Sequence, residues 1–105
     1  MDVQIAGRHV EVTEAMEEQI RENIEKLTRF DDKIQYVTVT LDVDAGNQLV
    51  EILAKCHRAD LVAEARGHDM YKCIDGAFAK LQRQVTRLHD KLVSHKNRTG
   101  QGQAG

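Results

Sequence analysis

The hydrophobic period of this chain changes from 3.6 to 2 and back to 3.6, and that order constrains the fold more than any other feature. Val37, Val39, Leu41 and Val43 alternate with Thr38, Thr40 and Asp42 after Tyr36, the pattern of a half-buried strand. Asp44-Ala45-Gly46-Asn47 reads as its turn, and Val50, Ile52, Ala54 and Cys56 continue as a further strand. Leu61, Ala63 and Ala65 form the next, reached by a short His57–Asp60 connection. These three strands read as an antiparallel meander.

Helical periods flank the meander. Thr13 offers an N-cap hydroxyl, with Glu14, Glu17 and Glu18 where a helix N-terminus favours anions. A helix is therefore predicted from 14 to about 29, with Met16, Ile20, Ile24 and Leu27 on one face and Glu18, Glu22 and Glu25 opposite. Ahead of it, Val3 and Ile5 alternate with Asp2 and Gln4, so residues 2–6 read as a first strand. After the meander, Asp69 can cap a helix whose apolar face is Met70, Ile74, Phe78, Leu81, Val85, Leu88 and Leu92. The order β-α-β-β-β-α predicts an α+β, two-layer sandwich, a four-stranded sheet with both helices on one face.

At 105 residues, one domain over 1–95 is expected, with residues 96–105 a disordered Gly/Gln-rich tail that has nothing to bury. No apolar run exceeds three residues, which excludes a helical membrane span and leads to an expected cytoplasmic location. Cys56 and Cys73 are too few and too isolated for a disulfide framework and read as reduced packing residues.

Charge is distributed unevenly. Residues 1–69 hold 8 Lys and Arg against 15 Asp and Glu, whereas residues 70–105 hold 7 against 2. Lys80, Arg83, Gln84, Arg87, Lys91, His95 and Arg98 recur at helical spacing, and the Lys80, Arg83, Arg87 and Lys91 stripe is centred roughly 120° from the apolar face. A solubility face mixes signs, but Lys80, Arg83, Arg87 and Lys91 have no acidic residue among them on that face, and like charges so placed oppose the helix. The row therefore fits a polyanion, with Lys26 and Arg29 extending it if the helices lie side by side. Two Tyr, two Phe and no Trp disfavour base stacking, and no helix-turn-helix or zinc module is present for DNA. Phosphate and shape recognition of folded RNA fits best.

Catalysis has no supporting motif, so no enzyme and no cofactor are expected. A metal site is not expected either, because Cys56 and His57 are neighbours on a strand and so should point to opposite faces. Rival readings are a homo-oligomeric module using an outer patch of Leu49, Leu53 and Val62, a generic double-stranded RNA binder, and a metal-dependent enzyme.

The segments Gly7-Arg8-His9-Val10-Glu11-Val12-Thr13 and Asp69-Met70-Tyr71-Lys72-Cys73-Ile74-Asp75-Gly76, running on to Lys80-Leu81-Gln82-Arg83-Gln84-Val85, resemble the bacterial ribosome hibernation promoting factor family, also called the ribosome-associated inhibitor or sigma-54 modulation protein family. The resemblance implies the same β-α-β-β-β-α fold, related to the double-stranded RNA-binding domain with an added strand. It implies binding to the 30S subunit at the A and P sites, where messenger and transfer RNA are blocked and translation is inhibited in stationary phase. Contacts to 16S ribosomal RNA would then come from Arg8, Lys26, Arg29, Lys80, Arg83, Gln84, Arg87 and Lys91. A departure is Phe30-Asp31, where many relatives have two aromatics. Short members either promote 100S ribosome dimers with ribosome modulation factor or inhibit 70S dimerisation through a tail, and the promoting type is expected here, as a monomer off the ribosome.

Overall fold

The computed structural model describes the backbone of residues 1–101 and the side chains of residues 1–93. Its elements are β1 (Asp2–Arg8), α1 (Glu14–Phe30), β2 (Ile34–Asp44), β3 (Asn47–Cys56), β4 (Ala59–Gly67) and α2 (Met70–Gln101). The sheet order is β1-β2-β3-β4. β2, β3 and β4 form the expected antiparallel meander, while β1 pairs in parallel with β2, opposite Tyr36 to Asp42. A parallel pair needs a crossover, and α1 supplies it.

Local chemistry explains the boundaries. Thr13 Oγ1 accepts from the Met16 amide at 3.2 Å, and Asp69 Oδ1 accepts from the Tyr71 and Lys72 amides at 3.0 and 3.3 Å, so both helices start at the side chains that can cap them. The β2–β3 hairpin turns on Ala45 and Gly46, both at positive φ, which suits a tight two-residue loop. The β3–β4 hairpin turns on His57 and Arg58, also both at positive φ, with no glycine or asparagine to ease it. Gly7 is required by contact: a Cβ there would lie 2.3 Å from the Val10 carbonyl oxygen. Gly7→Ala should therefore cost about 2 kcal/mol in urea unfolding, because backbone must move to admit the methyl group.

One face of the sheet is buried under both helices. Val37, Val39 and Leu41 of β2 and Val50, Ile52, Ala54 and Cys56 of β3 meet Ile20, Ile24 and Leu27 of α1 and Met70, Ile74, Phe78, Leu81 and Val85 of α2 in a single core. Leu88 is only partly buried and Leu92 is exposed, contrary to the expected apolar face. The helix also passes the boundary expected at residue 95 and continues to Gln101. No proline interrupts this stretch, and Lys96 and Arg98 are good helix formers. The rest of the expected disordered tail, residues 102–105, lies outside the described residues. No helix is long and apolar enough to cross a membrane.

Candidate nucleic-acid interface

α1 and α2 lie side by side in the layer above the sheet, joined by a polar clasp. Gln19 donates to the Tyr71 carbonyl and to Asp75 Oδ1, each at 2.8 Å, and Asn23 donates to the same carboxylate oxygen at 3.1 Å. Between the helices runs an open cleft of about 310 Å³ lined by Asn23, Lys26, Asp75, Phe78, Ala79 and Gln82. Lys26 thus stands beside α2, and the two helices progress in the same direction, since Phe30 at the end of α1 packs its ring 5.1 Å from that of His89.

The predicted interface residues divide into four groups. Arg83, Arg87 and Lys91 are exposed on α2, and neither they nor Lys80 has a carboxylate within 4.0 Å among the described residues. Elsewhere some cations are matched, Arg21 with Glu17 at 3.0 Å, Arg29 with Glu25 at 3.8 Å and Lys55 with Asp60 at 3.5 Å, whereas Lys26, Lys33, Arg58, Arg66 and Lys72 are, like the α2 row, without a carboxylate within 4.0 Å among the described residues. Lys80 and Gln84 have a second occupation. Lys80 Nζ donates to the Glu64 carbonyl at 2.8 Å and Gln84 Nε2 to the Val62 carbonyl at 2.7 Å, so this side of the row covers backbone acceptors of the edge strand β4. Sequence periodicity places these residues on a face, but cannot show that the face borders a sheet edge.

Arg8 stands apart. It is on β1, at the other edge of the sheet from β4, and its guanidinium is 3.9 Å from Asp42, which also holds His9 Nδ1 at 3.0 Å. The His9 hydrogen bond is the main reason the Asp42 carboxyl is held below the usual carboxylate range. Arg8 therefore belongs to a local sheet-edge cluster, whereas Lys26 and Arg29 share the helical layer with Arg83 and Arg87.

The outer sheet face carries the apolar side chains anticipated for a patch, Leu53 and Val62, paired with each other in register and both exposed, with Leu49 half-buried. Tyr36 is also on this face and partly exposed. A single tyrosine is a poor platform for successive bases, so this face does not compete with the helical layer for nucleic acid.

Sequence reading missed a buried polar cluster at the end of α1. Asp31 is 5 % exposed. Its Oδ2 accepts from His57 Nε2 at 2.7 Å and His89 Nδ1 at 3.3 Å, and its Oδ1 from the Lys33 amide at 2.9 Å. Burial pushes the Asp31 carboxyl up, but the Lys33, His57 and His89 hydrogen bonds together hold it below the usual range. Cys56 and His57 do not point to opposite faces as expected. Their donor atoms and that of Asp31 all lie within 4.8 Å of one another. β3 ends at Cys56, and the positive φ of His57 breaks the strand alternation on which that expectation rested.

The lowered Asp31 pKa has a definite sign for stability. The unfolded chain binds the proton more tightly, so the contribution is full above the ordinary carboxylate pKa and is lost as pH falls through the folded value. Asp31→Asn should lose about 2 kcal/mol in urea unfolding at pH 7, from charge-assisted hydrogen bonds. The difference from wild type should shrink below about pH 4.

Comparison with known proteins agrees with the architecture. Residues 3–93 match the family described as Sigma 54 modulation protein / S30EA ribosomal protein. The ribosome hibernation promoting factor of Escherichia coli (strain K12) is 37 % identical over 95 residues, covering 90 % of this chain and 100 % of that protein. The factor of the same name from Azotobacter vinelandii is 34 % identical over 96 residues, covering 91 % of this chain and 90 % of its own. Among solved structures, the Thermus thermophilus Protein Y N-terminal domain superposes with a TM-score of 0.77 at 26 % identity, covering 84 % of this chain and 99 % of that one. A ribosomal subunit interface protein from Coxiella burnetii has the same fold, with a TM-score of 0.80 at 22 % identity, covering 86 % of this chain and 99 % of that one.

Proposed function

Since this chain belongs to the Sigma 54 modulation protein / S30EA ribosomal protein family, we propose that it is a ribosome hibernation factor that binds the 30S subunit at the decoding region and silences translation without catalysis. The observation that carries this reading is the row of Arg83, Arg87 and Lys91 along one exposed face of α2, with no carboxylate within 4.0 Å of any of them among the described residues. Charges held without a protein partner are available to phosphate, and a row on one rigid helix presents them without further ordering cost.

The helical layer faces 16S ribosomal RNA. Arg83, Arg87 and Lys91 engage phosphates directly, Lys26 and Arg29 extend the surface across the cleft, and Lys80 and Gln84 contribute from the β4 side while covering that edge. Arg8 is a peripheral contact. The bulk of the domain, seated in the A and P sites, then excludes messenger and transfer RNA. This work takes place in the cytoplasm, where ribosomes are, and the factor acts as a monomer that favours 100S dimers together with ribosome modulation factor. The shared name of the curated relatives supports the promoting role.

Sucrose-gradient profiles of ribosomes with and without the protein and ribosome modulation factor test the proposal. A 100S peak that requires both is expected, and a 100S peak removed by the protein would identify an antagonist instead. With about four phosphates neutralised, affinity for 30S subunits should fall roughly 100-fold over a fourfold rise in salt. A flat salt response would exclude the phosphate contacts.

A further inference from the structure

We propose that Asp31, Cys56 and His57 form a binding site for a borderline-soft divalent transition metal, with zinc the natural occupant. One carboxylate oxygen, one sulfur and one imidazole nitrogen converge within 4.8 Å, although Asp31 is 26 residues from His57 in sequence. Donors about 2.0–2.3 Å from a tetrahedral metal lie roughly 3.3–3.5 Å apart, so modest side-chain rotation closes the set. Thiol and imidazole donors select zinc, cobalt or nickel over magnesium and calcium.

The surroundings fit a metal site in three respects. His89 Nδ1, 3.3 Å from Asp31 Oδ2, supplies the outer hydrogen bond that orients a ligating carboxylate. The Lys33 amide holds the other carboxylate oxygen at 2.9 Å. His57, though neither Asp31 nor Cys56, also lines an open cleft of about 320 Å³ with Asp32, Lys33, Ile34, Gln35 and Arg58, so the imidazole is the ligand that meets solvent. Three segments would be clipped together: the end of α1 through Asp31, the end of β3 through Cys56 and the β3–β4 turn through His57.

The proton balance is explicit. Cys56 binds as thiolate and releases its proton to solvent, and the Nε2 hydrogen that His57 donates to Asp31 must also leave, so that Nε2 presents its lone pair while Nδ1 carries the ring proton. In the metal-free protein, burial and the Asp31 charge push the Cys56 thiol up to about 11, so the metal must displace that proton and affinity should rise with pH. Zinc that binds only the folded protein should raise its melting temperature.

Titration of the reduced, full-length protein with Co2+ alone tests the site. One equivalent should produce a thiolate-to-cobalt charge-transfer band in the near ultraviolet and the intense visible bands of tetrahedral cobalt, both bleached by Zn2+. Cys73→Ala should retain the bands, whereas Cys56→Ala and His57→Gln should lose them. His57 is partly exposed, so His57→Gln decides the matter, its fold checked by circular dichroism, if loss of the buried thiol prevents folding. Absence of the charge-transfer band, its persistence in His57→Gln, or its loss in Cys73→Ala would overturn the proposal, as would weak octahedral bands from scattered surface histidines. The outcome is independent of ribosome binding.

Discussion

Reversing Arg83 and Arg87 to glutamate should reduce affinity for 30S subunits roughly a thousandfold or more and abolish co-sedimentation, with the circular dichroism spectrum unchanged. Both side chains are exposed and form no ion pair among the described residues, so the fold loses little when they change. Two charge-assisted contacts to phosphate are removed, each about 1.5–3 kcal/mol, and two like-charge repulsions replace them. The same exchange at Arg8 should have a much smaller effect, because its charge is already offset by Asp42 at the other side of the sheet. Co-sedimentation undiminished in the double variant would place the ribosome contact elsewhere on the molecule.

The second large effect is on stability and arises on the opposite side of the same helix. Leu81 is fully buried between α2 and the sheet, one residue from Lys80 and two from Arg83. Leu81→Ala should destabilise the domain by about 3 kcal/mol, from lost transfer energy and the residual cavity. Against a total stability of about 5–15 kcal/mol, that is a lowering of the melting temperature on the order of 10–20 °C by calorimetry. At temperatures where the variant remains folded, ribosome binding should persist, because the cationic face is intact. Loss of binding in the folded Leu81→Ala protein would mean that the core sets the surface geometry more tightly than the separation of the two faces implies.

These two predictions use the part of the molecule most legible from sequence. Apolar spacing on α2 predicted Met70, Ile74, Phe78, Leu81 and Val85 as buried, and all five are. The alternation in β2 and β3 likewise identified their core faces. Strand pairing was less accessible: Val3 and Ile5 show that a strand exists, but nothing in two apolar residues says that β1 pairs in parallel with β2 rather than with β4. The β3–β4 turn was placed too long because His57 and Arg58 carry none of the residues that ordinarily mark positive φ.

The polar features were hidden for a related reason. Asp31 looks like a solvated residue after a helix, and its burial depends on His57 and His89, which are brought to it only by the fold. Lys80 and Gln84 look like members of a single solvent-facing row until β4 is known to be an edge whose carbonyls they cover. Charge pattern could indicate a polyanion, and helical geometry could indicate which side of α2 meets it. That Arg83, Arg87 and Lys91 have no carboxylate partner among the described residues needed the three-dimensional arrangement.

On the proposed function, the helical layer, through Arg83, Arg87 and Lys91 with Lys26 and Arg29 beside them, seats the domain on 16S ribosomal RNA in the decoding region. Hydroxyl-radical footprinting of 30S subunits measures this directly. The wild-type protein should protect 16S nucleotides of the A and P sites, and the Arg83→Glu/Arg87→Glu protein should leave them exposed. Protection confined to other regions of the subunit, or a footprint identical in the double variant, would place the contact elsewhere on the molecule or on the subunit.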